Sequence, residues 1–182
     1  MHVFLTGNIQ VGKTTAIQRY INKYGYKVKG FRTLSGPFAE DGSSEIYMVA
    51  ADNPEDLREE NIVIWRHGYY AQKGVTVNLD VYENYGVELL ENTEGCDIIM
   101  MDELGPKELN AKEFVKRAKA CIDGDVPVMG VLMKKGSPLF YWVKNHPKVT
   151  VLEVTEENRD RVFQELPPVE RWGEPGAFDK CR

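Results

Sequence analysis

The chain has 182 residues, of which 42% are hydrophobic and 28% charged, and this size and balance are typical of one soluble globular domain. It carries 23 Lys plus Arg against 28 Asp plus Glu, so its net charge of −5 disfavours nucleic acid as the main partner. Three widely spaced cysteines argue against a disulfide framework and predict reduced thiols in a cytoplasmic protein. No apolar run reaches membrane-spanning length, so we expect no membrane partner.

Apolar periodicity predicts alternating strands and helices along the first half of the chain. Their bounds are a strand over 2–6, a helix over 16–24, strands over 27–34 and 45–50, a short helix opening at Asn53, a strand over 61–65 and a helix over 78–92. Residues 35–44 are rich in turn-forming residues, so the strands on either side of them would form a hairpin. Residues 67–77 lack periodicity and are predicted to be a loop.

The second half continues the alternation. Its predicted elements are a strand over 96–101, a helix from Asn110 to about 124, a strand over 126–133, a short helix from Ser137, a strand over 149–154 and a helix capped by Thr155 that ends near 166. Such alternation predicts an α/β fold, with an open, mostly parallel sheet and helices on both faces. We expect one domain over 1–166, a β-rich insertion over about 28–66, and an irregular or flexible tail over 167–182.

A glycine-rich motif links the first strand to the first helix. Residues 7–15 read Gly-Asn-Ile-Gln-Val-Gly-Lys-Thr-Thr, a phosphate-binding loop (P-loop, or Walker A motif) in the strand–loop–helix context that it requires. The amide groups of such a loop and the start of the helix attract phosphate. We therefore predict that a nucleotide binds to Gly7, Asn8, Ile9, Gln10, Val11, Gly12, Lys13, Thr14 and Thr15. Lys13 would reach the β- and γ-phosphates, and Thr14 would hold Mg²⁺.

Two carboxylates follow the apolar strand over 96–101. The carboxyl ends of parallel strands border the ligand crevice of an open α/β sheet, so Asp102 and Glu103 would face the P-loop. Asp102, as the Walker B acid, would hold Mg²⁺ through a water opposite Thr14. Glu103 would orient and deprotonate the water that attacks the γ-phosphate. An acidic turn without catalytic function is the simpler alternative for this pair.

The stretch from Asp102 to Leu109 reads Asp-Glu-Leu-Gly-Pro-Lys-Glu-Leu and resembles the Asp-Glu-Ile-Gly-x-Met-Glu-Leu signature of the small P-loop nucleoside-triphosphatases. That family includes thermophilic enzymes and the human cancer-related nucleoside-triphosphatase. The resemblance extends over residues 2–166. It implies a P-loop NTPase fold and slow, Mg²⁺-dependent hydrolysis of nucleoside triphosphates to diphosphate and phosphate, with broad base tolerance. It also implies that Lys13, Thr14, Asp102 and Glu103 have the functions argued above.

The chain departs from the family pattern in its P-loop and beyond it. Family loops commonly carry proline and glycine at the positions of Ile9 and Gln10, and an arginine that usually follows Gly30-Phe31-Arg32-Thr33 is absent. Arg32 is a candidate substitute for that charge.

Three further cations are weaker candidates. Lys134 and Lys135 follow a buried strand and would sense the γ-phosphate or form a solvated turn. Arg159 would pack near the base or lie on a helix surface. No Asn-Lys-x-Asp motif is present, so guanine specificity by that route is not expected.

Two other functions share these motifs. A small-molecule or nucleotide kinase would use the same loop and metal, but its lid commonly carries arginines, and the segment over 131–149 has lysines and no arginine. The second alternative is a nucleotide-binding adaptor or regulatory protein, in which the insertion and the tail contact a partner.

Overall fold

The computed structural model describes residues 1–134 and 136–181, whose strands form one eight-stranded sheet. The strands are β1 (His2–Gly7), β2 (Val28–Ser35), β3 (Ser44–Ala50), β4 (Ile62–Arg66), β5 (Val75–Val77), β6 (Ile98–Leu104), β7 (Val128–Leu132) and β8 (Val149–Val154). Their order is β5-β4-β3-β2-β6-β7-β1-β8. Neighbours from β2 to β8 in this order are parallel, whereas β3, β4 and β5 extend the sheet in antiparallel fashion. The predicted open, mostly parallel α/β sheet is confirmed.

Helices cover both faces of the parallel part of the sheet. They are α1 (Lys13–Tyr24), α2 (Leu79–Val81), α3 (Val87–Glu91), α4 (Lys112–Asp123), α5 (Pro138–Lys144) and α6 (Arg159–Glu165). One core lies under α1 and α6, and the other lies under α2 to α5. Because side chains alternate along a strand, Val3 and Leu5 of β1 enter the first core while Phe4 enters the second. Within the described residues, no helix combines the length and apolarity needed to cross a bilayer.

The insertion differs in detail from the prediction. β2 and β3 form the expected hairpin, but residues 75–77, predicted to be loop, form β5 against β4. The short helix expected from Asn53 is wrong. Turns occupy that segment until a 3₁₀ turn at Glu59–Asn61. Leu57 is 51% exposed, so the segment buries little of the apolar face that would stabilise so short a helix.

Two helices start later than predicted, and a distant side chain caps one of them. The predicted start of α4 at Asn110 is wrong, because the helix begins at Lys112 and Glu83 caps it. The Glu83 carboxylate accepts hydrogen bonds from the amides of Glu113 (2.9 Å) and Phe114 (3.1 Å). Glu83 lies in a π-helical turn, Tyr82–Gly86, which interrupts the predicted helix over 78–92. Helix α6 likewise starts later than Thr155, at Arg159.

The tail after Leu166 packs onto α1. It contains 3₁₀ turns at Val169–Arg171 and Asp179–Cys181. Trp172 is 2% exposed, and its indole donates to the Pro167 carbonyl at 2.9 Å. The Tyr20 hydroxyl donates to the same carbonyl at 2.8 Å. The tail thus extends the core under α1 and α6.

Candidate active site

The P-loop connects β1 to α1 along a path that requires glycine. Gly7 has φ +145°, and a Cβ there would collide with the carbonyl oxygen of Val154, its partner in the β1–β8 pairing. Gly12 has φ +99° and caps α1. Gln10 also has a positive φ of 61°, a left-handed conformation that costs a non-glycine residue about 1 kcal/mol. The P-loop therefore includes one energetically unfavourable backbone conformation, at Gln10.

Lys13 folds back over the P-loop. Its Nζ donates to the carbonyls of Asn8 (2.6 Å) and Gly7 (3.2 Å). Burial lowers the pKa of Lys13, while the charges of Glu103 and Asp102 act in the opposite direction. The amine thus lies on the P-loop within the electrostatic influence of both carboxylates.

Asp102 joins the P-loop to the acidic strand. Its Oδ1 accepts a hydrogen bond from the Thr14 hydroxyl at 3.0 Å, and its Oδ2 accepts from the Thr33 amide at 3.3 Å. The residue is 1% exposed. Burial, followed by the charge of Glu103, raises the pKa of Asp102 to about 6. The structure thus brings Thr14 and Asp102 into contact, as their predicted functions require.

Glu103 has an unusual backbone conformation. Its φ is +64°, and the β6–β7 register shifts between Met101 and Leu104. This break in the strand leaves the Glu103 side chain half-buried. Immediately after it, the Gly105 amide donates to the carboxylate of Glu108, which is 1% exposed. A non-glycine residue keeps such a strained conformation only where the surrounding contacts impose it.

Comparison with known proteins decides the family. A family model described as NTPase matches residues 2–167. The chain belongs to this NTPase family. It is 30% identical over 177 residues to the nucleoside-triphosphatase THEP1 of Methanocaldococcus jannaschii, covering 91% of this chain and 95% of that protein. It is 28% identical to the THEP1 of Methanosarcina acetivorans over 180 residues, covering 91% and 94% respectively.

Two solved structures share the fold of this NTPase-family chain. The crystal structure of THEP1 from Aquifex aeolicus superposes with a TM-score of 0.72 at 22% identity, covering 92% of this chain and 97% of that one. The solution structure of a human cancer-related nucleoside triphosphatase gives a TM-score of 0.60 at 24% identity, covering 90% and 94%. The family resemblance and the P-loop NTPase fold expected from the sequence are therefore confirmed.

The oxygen atoms at Thr14 and Asp102 are suited to Mg²⁺. A hydroxyl and a carboxylate in contact provide the hard donors that this ion prefers. Among the described residues, no three His, Cys, Asp or Glu side chains cluster as a self-sufficient metal site. Mg²⁺ commonly takes one or two protein ligands and completes its shell with water and phosphate oxygens, so this sparse donor set fits the ion.

Sequence reasoning missed the two side chains that support the acids. Thr33 lies on β2, beside β6, and only the strand order brings its amide to Asp102. Glu108 belongs to the quoted signature stretch, and its place in that stretch was the available signal. The Thr33 hydroxyl also donates to Asp102, at 3.4 Å, and the Glu108 carboxylate accepts from the Gly105 amide. No local pattern encodes these contacts.

The weaker cationic candidates take different positions. Lys134 pairs with Glu153 at 2.6 Å on the surface, whereas Lys135 lies outside the described residues. Arg32 lies near Asp102, where its positive charge lowers the Asp102 pKa against the effect of burial. The Arg32 Nε is buried and has no hydrogen-bond partner among the described residues. Arg159 lies beside the P-loop at Gly12.

Proposed function

We propose that this chain hydrolyses nucleoside 5′-triphosphates to diphosphate and phosphate in a Mg²⁺-dependent reaction, with Glu103 activating the water. The contact between Thr14 and Asp102 carries the proposal, because it joins the phosphate-binding loop to the acidic end of β6. Membership of the NTPase family, together with relatives named nucleoside-triphosphatase, supports the reaction class.

Substrate binding would use the P-loop backbone and Lys13. The loop amides and the start of α1 favour the β-phosphate, since α1 is long enough to contribute an appreciable dipole. Lys13 would exchange its bonds to the Gly7 and Asn8 carbonyls for phosphate oxygens. Thr14 and Asp102 would hold Mg²⁺, which would neutralise charge on the β- and γ-phosphates.

Hydrolysis requires a base beside the γ-phosphate. Water attacks the γ-phosphorus while its proton passes to the Glu103 carboxylate. The bond from that phosphorus to the β–γ bridging oxygen breaks, and its electron pair leaves with the nucleoside diphosphate. Glu103 is adjacent to Asp102 in sequence and its charge acts on both Asp102 and Lys13, which supports its placement at the reacting end of the triphosphate.

A phosphate-release panel tests the proposal against the kinase and adaptor alternatives. Purified protein is incubated with each common ribo- and deoxyribonucleoside triphosphate, with Mg²⁺ or with EDTA, and with or without candidate acceptors. We expect free phosphate with every base, Mg²⁺-dependent and independent of acceptors. Consumption of ATP without free phosphate would support a kinase, and tight binding without turnover would support an adaptor. In ¹⁸O-labelled water, hydrolysis places one labelled oxygen in the released phosphate.

A further inference from the structure

The strand order, combined with the proposed metal site, indicates the side of the P-loop on which the nucleoside would lie. β1 has β7 on one side and β8 on the other, and β6, which carries Asp102, lies beyond β7. With Thr14 and Asp102 holding the metal as proposed, the terminal phosphate would face β6. The rest of the nucleotide would then extend in the opposite direction, toward β8 and the start of α6.

Arg159 is the cation at that position. It is the first residue of α6, and a Cβ built on Gly12 would lie 4.0 Å from its Cδ. The residue is exposed, and its guanidinium makes no hydrogen bond or ion pair with the other described residues. The planar guanidinium is therefore available to a ligand beside the P-loop, on the side where the nucleoside would lie.

The backbone that carries Arg159 is held firmly. The Thr155 amide donates to the Asn158 side chain at 2.7 Å, and the Asn158 amide donates to the Thr155 hydroxyl at 3.3 Å. Asn158 Nδ2 also donates to the Glu153 carbonyl at 2.8 Å. These bonds fix the turn between β8 and α6, so Arg159 is positioned by its backbone while its side chain remains available.

We propose that the Arg159 guanidinium stacks on the nucleobase of the bound nucleotide. The inference rests on the proposed nucleotide site. A guanidinium plane stacks on any aromatic face without reading the hydrogen-bonding edge of the base. Arg159 would therefore add affinity for the nucleoside while leaving base choice broad, with a larger gain for purines because their stacking face is larger.

Binding titrations of ADP, CDP and inorganic pyrophosphate test the inference without requiring turnover. They are made by calorimetry with Mg²⁺ on the wild type and on the variants Arg159→Ala, Arg159→Lys and Arg161→Ala. Arg161→Ala is the matched control, because it removes an exposed arginine from the same helix. We expect Arg159→Ala to weaken ADP binding about tenfold, CDP binding less, and pyrophosphate binding by less than twofold. Arg159→Lys should resemble Arg159→Ala, since lysine retains the charge without the plane.

Three results would overturn the inference. Equal weakening of pyrophosphate and ADP, or full rescue by lysine, would mean that Arg159 contacts phosphate rather than the base. Unchanged ADP binding in Arg159→Ala would mean that the arginine does not touch the nucleotide. Failure of the proposed function is a separate result, because a wild type that binds ADP but releases no phosphate from ATP would leave the stacking intact.

Discussion

Replacing His2 with asparagine should remove a specific part of the acid sensitivity of folding. His2 lies on β1, the strand that leads into the P-loop, and is 0% exposed. Its Nδ1 accepts a hydrogen bond from the Val128 amide at 3.0 Å, whereas its buried Nε2 has no partner among the described residues. Protonation would place a charge in this core, where burial and the N-terminal amine disfavour it more than the Ile122 carbonyl favours it. Asparagine retains an acceptor for the Val128 amide but does not titrate.

The magnitude follows from the two protonation equilibria of His2. Burial lowers the His2 pKa from 6.5 to about 4, so between these values the unfolded chain binds a proton that the folded chain does not. Folding stability is therefore lost as the pH falls from 6.5 toward 4. The difference corresponds to about 3 kcal/mol, or about 2 kcal/mol if water partly reaches the ring.

Urea unfolding followed by circular dichroism at pH 7, 5 and 4 measures the effect. We expect the wild type to lose about 2 to 3 kcal/mol more than His2→Asn between pH 7 and pH 4, at similar dependence on urea. His2→Asn itself should be less stable at pH 7, because its side chain is smaller than the site. Parallel stability curves for the two proteins would refute the assignment of this acid sensitivity to His2.

Three further substitutions test the supporting contacts. Glu83→Ala should lower the free energy of unfolding by about 1 kcal/mol, because α4 loses its cap, and an unchanged urea midpoint would contradict this. Trp172→Ala should cost about 3 to 5 kcal/mol in the same assay, whereas a small loss would show that the tail is dispensable. Glu108→Ala should lower kcat about tenfold at similar KM, with recovery in Glu108→Gln, because the Gly105 amide needs an acceptor to hold Glu103 in place. If both Glu108 variants were as active as the wild type, Glu108 would not be needed to hold Glu103 in place.

Local patterns explain why the P-loop could be predicted from sequence. The backbone geometry requires both glycines. Gly12 has a positive φ, and a Cβ at Gly7 would collide with the carbonyl of the neighbouring strand. The strand before the loop and the helix after it have their own apolar periods. The same kind of local pattern predicted Asp102, because it directly follows a continuous apolar run, although β6 continues past it to Leu104.

Contacts between distant segments explain what the sequence could not predict. The capping-box spacing at Asn110 was misleading, because Glu83 reaches the same amides from 30 residues away. Residues 75–77 read Val-Thr-Val, a run too short to predict a strand by itself, and their pairing with β4 makes them one. The tail has no regular apolar period, because Trp172 and its neighbours contact α1 individually and not as one face of a long helix or strand. The sequence left two positions open for Arg159, near the base or on a helix surface, because its place beside the P-loop depends on the pairing of β8 with β1.

The replacement Glu103→Gln is the sharpest test of Glu103 as the base that activates water. Glutamine preserves the size and the hydrogen-bonding capacity of the side chain but cannot accept the proton of the attacking water. Calorimetric binding of ATP with Mg²⁺ and phosphate release are measured on the same protein sample. We predict binding within about twofold of the wild type and a fall in phosphate release of about 100-fold or more. Phosphate release at the wild-type rate would contradict the assignment of Glu103 as the base.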